Sequence, residues 1–163
     1  MTPPRPAFDS YIICTTPRSG STLLCGLLEG TGRAGRPDSF FMGDLDPHWA
    51  EVWCLPDIGA PADADHARAF VAAAKRAGTG GNAMFGLRLM HRDLARLLSL
   101  VGDAFPDPGD DAGRLRAAFG RWLPIHLTRA DKLAQAVSRV RAEQSGLWHI
   151  APDGRELERL APA

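Results

Sequence analysis

Three short apolar runs in this chain have the length and the β-branched character of buried strands. They cover Tyr11 to Thr15, Met84 to Met90 and Leu123 to Thr128. Pro124 stands near the start of the third run, where its missing N–H is tolerated. The pattern therefore predicts three strands.

A helical pattern follows each run, because apolar residues then recur every three or four positions. The first helix begins at Ser21 and is expected to stop between Gly30 and Gly32, and the third begins near Ala130. The positions that we expect to face inward are Leu24, Leu27 and Leu28, then Leu94, Leu97, Leu98 and Val101, and finally Leu133, Ala136, Val137 and Val140.

Two further stretches complete the pattern. Asp63 to Ala77 is rich in alanine and predicts a helix that ends at Gly78. Gly102 to Ala112 is rich in Asp, Pro and Gly and predicts an exposed loop. Strands that alternate with helices in this way predict an α/β fold with a central parallel sheet and right-handed crossovers.

Length and charge narrow the function. The chain has 163 residues and an apolar fraction of 45%, which suits one globular domain. Its 19 basic and 19 acidic residues cancel, so no overall positive field favours nucleic acid or an anionic membrane as a partner. Any anion must be bound by a local site.

The cysteines and the N-terminus bear on the compartment. Cys14, Cys25 and Cys54 are odd in number and show no C-x-x-C spacing, so we expect reduced, intracellular thiols. The apolar run from Tyr11 to Cys14 is too short for a signal or membrane helix. The expected location is the cytoplasm.

The segment Thr15 to Thr22 lies where a strand is followed by a helix, a position that binds anions through free amides and the helix dipole. Gly20 allows close approach of the backbone, hydroxyls come from Ser19, Ser21 and Thr22, and Arg18 adds a bidentate cation. The alternative is a capped turn whose hydroxyls bind only backbone groups. We call this segment the cradle loop.

Two other phosphate loops do not fit the cradle loop. A Walker A loop requires G-x-x-x-x-G-K-[ST], and both the first glycine and the lysine are missing here. A cysteine phosphatase would need an arginine six positions after Cys14, where Gly20 stands. Cys14 is therefore interpreted as a buried strand residue.

With these residues the chain resembles the bacterial trehalose sulfotransferase-like family. The resemblance covers most of the chain and rests on Tyr11 to Leu24, Gly32, the G-x-P-x-x-F-F stretch from Gly35 to Phe41, Gly86 to Met90, and Arg129 to Ala142 with Trp148. It implies a three-layer, P-loop-like domain that moves a sulfuryl group from 3′-phosphoadenosine 5′-phosphosulfate (PAPS) to a hydroxyl, such as one on a sugar. No metal is required for this transfer.

The resemblance also implies which residues bind the donor. Arg18, Ser19, Gly20, Ser21 and Thr22 would hold the 5′-phosphosulfate, and Arg129 and Ser138 would hold the 3′-phosphate. An independent argument supports the second pair, because Arg129 ends the third predicted strand and Ser138 lies in the next helix. Taken alone, Arg129 reads equally well as a surface cation, and Ser138 as a helix residue bonded to its own backbone.

The chain departs from the family pattern at two side chains near the acceptor. Ser39 stands where the family usually has a glutamate that deprotonates the acceptor hydroxyl, and Arg88 stands where a lysine is common. Serine is a poor base, so this role would pass to Asp38, to His91 or to His48, or be absent. Asp38 is the preferred candidate, and a solvated loop carboxylate is its alternative interpretation.

Length is the third departure. Residues 1–163 read as a single sulfotransferase-type domain that corresponds to the N-terminal two thirds or so of the family's domain, shortened at its C-terminus. A parallel sheet without its full cover would expose apolar surface, which self-association into a homo-oligomer would bury.

Three functions remain open at this point. The preferred one is a PAPS-dependent sulfotransferase acting on a small-molecule hydroxyl. The second is a truncated, non-catalytic nucleotide-binding module of the same family, favoured by the loss of the glutamate. The third, a kinase-like phosphotransferase, lacks the Walker lysine and a carboxylate for magnesium.

Overall fold

The computed structural model describes residues 7–43, 46–55, 64–150 and 156–159. Three parallel strands form the central sheet: β1 (Ser10–Thr15), β2 (Phe85–Met90) and β3 (Trp122–His126). Their order is β2-β1-β3, so the first strand of the sequence lies in the middle. Its register places Ile13 beside Arg88 on one side and beside Ile125 on the other. All three strands agree with the apolar runs of the sequence, within one or two residues at their ends.

Helices surround this sheet. They are α1 (Ser21–Gly30), α2 (Asp46–Val52), α3 (Ala64–Thr79), α4 (Leu94–Ala104), α5 (Asp111–Phe119) and α6 (Lys132–Ser145), with a 3-10 turn at His91–Asp93. A separate antiparallel pair, β4 (Leu147–Ile150) and β5 (Glu156–Arg159), follows α6. No helix in the described ranges is long and apolar enough to cross a bilayer.

The two faces of the sheet carry different packing, as the alternation of side chains along a strand requires. Ile12 and Leu87 point into the main core, where α3, α4 and α5 contribute buried residues such as Phe70, Leu97 and Phe119. The opposite face carries Tyr11 and Ile13, which pack with Cys25, Leu24 and Leu28 of α1. A parallel sheet with helices on both faces is the predicted α/β fold, which the structure confirms.

The predicted loop from Gly102 to Ala112 is wrong at both ends, because α4 continues to Ala104 and α5 begins at Asp111. Asp110 caps α5 by accepting a hydrogen bond from the Gly113 amide at 2.7 Å. The polar, glycine-containing start of this helix resembles a loop in sequence. The helix α3 agrees with its prediction from Ala64 onward, whereas Asp63 lies outside the described residues.

The predicted inward face of α6 is also wrong. Leu133, Val137 and Val140 are 76%, 43% and 50% exposed, and Ala136 is exposed as well. The helix is instead held by polar contacts to the cradle loop and by the buried Ala142. Leu27 of α1, another position expected to face inward, is 62% exposed.

Candidate functional site

The cradle loop has the backbone geometry of an anion site. Arg18 and Gly20 have positive φ values of 63° and 91°, and α1 begins directly after them at Ser21. Left-handed residues in a turn direct neighbouring N–H groups towards one side, and the first amides of a helix have no partner within the helix. Since a non-glycine residue rarely adopts positive φ, the conformation of Arg18 requires support from its surroundings.

Arg18 finds that support on α6 and β4. Its Nε donates to Ser138 Oγ at 3.0 Å, and its Nη1 donates to the carbonyl oxygen of Trp148. These contacts join residues 120 and 130 positions apart in sequence. Two residues assigned from sequence to the two ends of the nucleotide, Arg18 and Ser138, therefore lie side by side.

Further side-chain hydrogen bonds fix the conformation of the cradle loop. Ser19 Oγ lies 2.6 Å from Thr15 Oγ1, which also donates to the Leu127 carbonyl at 3.0 Å. Gln135 of α6 donates to Thr16 Oγ1 at 3.0 Å and to the Pro17 carbonyl at 2.8 Å. The Ser19 hydroxyl thus supports the loop, which leaves the backbone amide as its means of binding a ligand.

A cleft of about 1100 Å³ opens between the cradle loop, α1, α6 and β4. Its lining in the described ranges includes three arginines and no aspartate or glutamate. The lining residues are Arg18, Gly20, Ser21, Thr22, Leu23, Gly26, Leu27, Arg129, Ala134, Val137, Ser138, Arg141, Ala142, Ser145, Leu147, Trp148 and His149. Of the predicted nucleotide ligands, only Ser19 is missing from the lining.

Arg129 enters the cleft from the segment between β3 and α6. Within the part of the chain that the structure describes, its guanidinium makes no hydrogen bond or ion pair. Asp131 next to it is occupied as the N-cap of α6, accepting from the Ala134 amide at 2.8 Å. A cation in an acid-free cleft remains available to an anionic ligand.

A second cluster lies beside the cradle loop, centred on Arg88 of β2. Its guanidinium donates to Thr22 Oγ1 at 2.8 Å, to Ser39 Oγ at 2.8 Å and to Asp38 Oδ1 at 3.2 Å. The Arg88 side chain is only 14% exposed, whereas that of Asp38 is 50% exposed. One guanidinium thereby joins the hydroxyl of Thr22 in the cradle loop to the segment that carries Asp38 and Ser39.

The Asp38 segment lies along the outer edge of β2. Asp38 forms an isolated parallel bridge with Leu87, and its carbonyl accepts from the Arg88 amide at 3.1 Å. Asp38 Oδ1 also accepts from the Ser39 amide at 2.7 Å. Among the predicted acid–base residues, Asp38 shares the Arg88 guanidinium with Thr22 of the cradle loop, and half of its side chain reaches solvent.

The alternative histidines lie apart from this network. His48 of α2 is exposed and packs edge-on against Trp49, with ring centroids 5.1 Å apart. His91 is exposed at the start of the 3-10 turn after β2. Ser39 itself is buried, with its hydroxyl on Arg88 and its carbonyl accepting from Trp49 Nε1 at 3.2 Å.

Comparison with known proteins agrees with this architecture. Residues 10–163 match the family described as Stf0 sulphotransferase. This chain belongs to the Stf0 sulphotransferase family. It is 32% identical over 167 residues to a trehalose 2-sulfotransferase of Mycobacterium tuberculosis, with 90% of this chain and 61% of the relative covered. It is 30% identical over 162 residues to a trehalose 2-sulfotransferase of Mycolicibacterium smegmatis, with 88% and 60% covered.

The chain therefore spans about three fifths of the length of these curated relatives. The predicted family resemblance is confirmed, as is the coarse assignment to the sulfotransferases. The individual binding residues stay predictions.

Two glycines of the family-like stretches have structural reasons. A Cβ on Gly35, whose φ is 73°, would lie within 2.5 Å of the Gly78 carbonyl oxygen and would also overlap that of Met84. A Cβ on Gly86 would lie 2.5 Å from Tyr11 Oη and 2.9 Å from Pro37. These glycines let the segment before Asp38 lie close to β2, so they help to position Asp38 in this Stf0 sulphotransferase.

Sequence reasoning missed His149, which lies on β4 and lines the cleft. Its Nδ1 is 3.3 Å from Thr22 Oγ1. Since Arg88 already donates to this hydroxyl, its proton is free to point towards His149. In the sequence, only the neighbouring Trp148 belonged to the family resemblance. The proximity of His149 to the cradle loop arises from the fold, which places β4 there.

The three cysteines form no disulfide. Burial raises the pKa of the Cys25 thiol to about 11 and also raises that of Cys14. Burial likewise raises the pKa of Tyr11, whose hydroxyl donates to the Ala34 carbonyl at 2.7 Å. Cys14 and Cys25 therefore stay protonated near neutral pH, where the thiolate is the reactive form. Cys54 is exposed.

Proposed function

We propose that this chain binds PAPS and transfers its sulfuryl group to a hydroxyl of a carbohydrate or another small molecule. The observation that carries the proposal is the acid-free cleft beside the cradle loop, in which Arg18, Arg129 and Arg141 face one volume. A nucleotide with phosphates at both ends of its ribose needs several cations and no competing carboxylate. The names of the two mycobacterial relatives, which refer to trehalose, support a sugar acceptor.

The donor contacts follow from the positions of the lining residues. The amides of Ser19, Gly20 and Ser21 with the side chains of Arg18 and Thr22 would bind the 5′-phosphosulfate. The helix dipole of α1 favours negative charge at this point. Arg129 and Ser138 would bind the 3′-phosphate, since both line the same cleft.

The bound donor would supply a sulfuryl group already activated by its link to phosphate. Arg18 and the loop amides would stabilise the charge left on the phosphate oxygen as the bond to sulfur breaks. Asp38 would take the proton of the acceptor hydroxyl while the new oxygen–sulfur bond forms. Arg88 would hold Asp38 and Thr22 at a fixed separation, so that proton acceptor and donor site stay aligned.

A second candidate is a non-catalytic nucleotide-binding module of the same family. One specific observation favours it: Ser39, at the position of the usual glutamate, is buried and bound to Arg88. Such a side chain is unable to accept a proton from an acceptor. This candidate shares the nucleotide site and differs from the first in turnover.

Calorimetric titration with adenosine 3′,5′-bisphosphate, the desulfated donor, and with ATP tests the nucleotide site. We expect the bisphosphate to bind more tightly than ATP. Arg18→Ala should weaken bisphosphate binding by about 1.5–3 kcal/mol, as for a charge-assisted hydrogen bond. Arg116→Ala on α5, an exposed arginine outside the cleft lining, is the matched control. Equal affinities of wild type and Arg18→Ala would remove the cradle loop from the proposal.

Arg129→Ala tests the other end of the nucleotide. This change should weaken the binding of adenosine 3′,5′-bisphosphate and leave the binding of AMP, which lacks the 3′-phosphate, nearly unchanged. Equal losses for both ligands would mean that Arg129 acts through folding or general charge.

Transfer of labelled sulfate from PAPS to a panel of sugars decides between the two candidates. Turnover that Asp38→Asn abolishes supports the enzyme and the assignment of Asp38. Tight nucleotide binding without transfer supports the binding module.

A further inference from the structure

Two arginines near the middle of α6 have different surroundings. Arg139 pairs with Glu143 at 2.7 Å, one turn along the same helix, and does not line the cleft. Arg141 lines the cleft and has no hydrogen bond or ion pair from its side chain among the described residues. The paired arginine is the ordinary solvated case, whereas the second contributes an uncompensated charge to the cleft.

The position of Arg141 along α6 indicates which part of a ligand it faces. Gln135 contacts the cradle loop and Ser138 contacts Arg18, so the helix leads away from the loop with increasing residue number. Arg141 lies three residues beyond Ser138, which on a helix means the same face and a further rise of about 4.5 Å. It therefore lies on the side of Ser138 that is remote from the cradle loop.

The charges around Arg141 point to an anionic ligand group. The cleft lining in the described ranges holds two further arginines but no carboxylate. A guanidinium binds a phosphate monoester in a bidentate way, and such a ligand supplies the counter-charge that the cleft lacks.

We propose that Arg141 is a specificity-determining residue of this site, which binds the 3′-phosphate of the nucleotide together with Arg129 and Ser138. This inference rests on the proposed function and extends it. Arg141 contributes to the discrimination between nucleotides that carry a 3′-phosphate and those that lack it, because without that phosphate its guanidinium stays in water.

Titration of three proteins with two ligands tests the inference: wild type, Arg141→Gln and the matched control Arg139→Gln, each with adenosine 3′,5′-bisphosphate and with AMP. For Arg141→Gln we expect a loss of roughly 10- to 100-fold in bisphosphate affinity and less than about 3-fold in AMP affinity. Arg139→Gln should change neither by more than about 2-fold. Retained AMP binding shows that the variant is folded.

Other outcomes separate the two proposals. Wild-type protein that prefers the bisphosphate, with Arg141→Gln unchanged or equally weakened for both ligands, overturns the role of Arg141 and keeps the proposed function. If Arg139→Gln loses as much bisphosphate affinity as Arg141→Gln, the effect comes from the general charge of the protein, which also overturns the inference. Wild-type protein that binds neither nucleotide overturns the proposed function itself.

Discussion

The guanidinium of Arg88 donates a hydrogen bond to the hydroxyl of Ser39 at 2.8 Å. At these two positions the family resemblance led us to expect a lysine and a glutamate. Although they lie 49 apart in sequence, the two residues contact each other. The hydroxyl neutralises no charge, and Arg88 has its ion pair with Asp38 instead. The two departures from the resemblance therefore lie in one hydrogen-bonded pair.

The first prediction is that Arg88 and Ser39 are energetically coupled. Arg88→Met and Ser39→Ala should each lower the free energy of unfolding, and a double-mutant cycle should give a coupling of about 0.5–1.5 kcal/mol, the scale of one partly buried hydrogen bond. Urea unfolding of the four proteins measures it. Arg88→Lys keeps the positive charge but loses the planar set of N–H donors of the guanidinium, so this variant should retain part of the stability. Strict additivity would contradict the coupling.

A second prediction separates structural glycines from permissive ones. Gly35→Ala should lower the free energy of unfolding by more than about 3 kcal/mol, because positive φ and overlap with two carbonyl oxygens add. Gly26→Ala in the middle of α1 is the control, since its Cβ would meet nothing within 4 Å. That change should stabilise by roughly 0.5–1 kcal/mol. Similar thermal unfolding of both variants would show that the chain near Gly35 can shift at little cost.

A third prediction concerns alkaline pH. Burial raises the pKa of Cys25 from its ordinary 9.0 to about 11, so the unfolded chain ionises first as pH rises. The stabilisation from this group is complete below pH 9 and is lost as pH rises to about 11. Urea midpoints between pH 8 and 11 should therefore decline less steeply in Cys25→Ala than in wild type. Cys54→Ala, at an exposed thiol, should keep the wild-type slope.

The sequence was most informative about the sheet. Strands buried on both faces leave continuous apolar runs, and β1 and β2 were therefore predicted almost to the residue. The helical periodicity predicted that α6 exists, but it did not predict which face of the helix packs against the rest of the protein. Leu133 and Val137 form an apolar stripe, yet the side of the helix that contacts the cradle loop is polar. A periodic pattern identifies a face without identifying its partner.

The site was predictable only in part, for a similar reason. Arg18 and the loop around it form a local motif, so strand and helix context were enough to find them. Arg88 and Arg141 lie in stretches of the family resemblance and His149 lies outside them, but the contacts of all three are created by the topology. The pairing of Arg88 with Ser39 depends on the parallel bridge between Asp38 and Leu87, which no spacing in the sequence reveals.

The last prediction asks whether the lost carboxylate limits catalysis. Ser39→Glu in an Arg88→Lys background restores the residue pair that the family resemblance leads us to expect. A carboxylate there would lie one residue from Asp38 and beside position 88, whose wild-type arginine contacts Thr22. If Asp38 does not act as the base in the wild type, we expect sulfate transfer to a sugar to rise by about 10²–10⁴-fold, the usual contribution of a general base, with little change in the affinity for adenosine 3′,5′-bisphosphate.

The control is Ser39→Gln in the same background, which has the shape of glutamate without its basicity. A rate that rises equally in the glutamine variant would assign the effect to packing, because Ser39 is buried and both side chains are larger. No rise with glutamate, in a protein that still binds the nucleotide, would leave Asp38 as the proton acceptor if wild type already transfers sulfate. It would support the non-catalytic module if wild type does not.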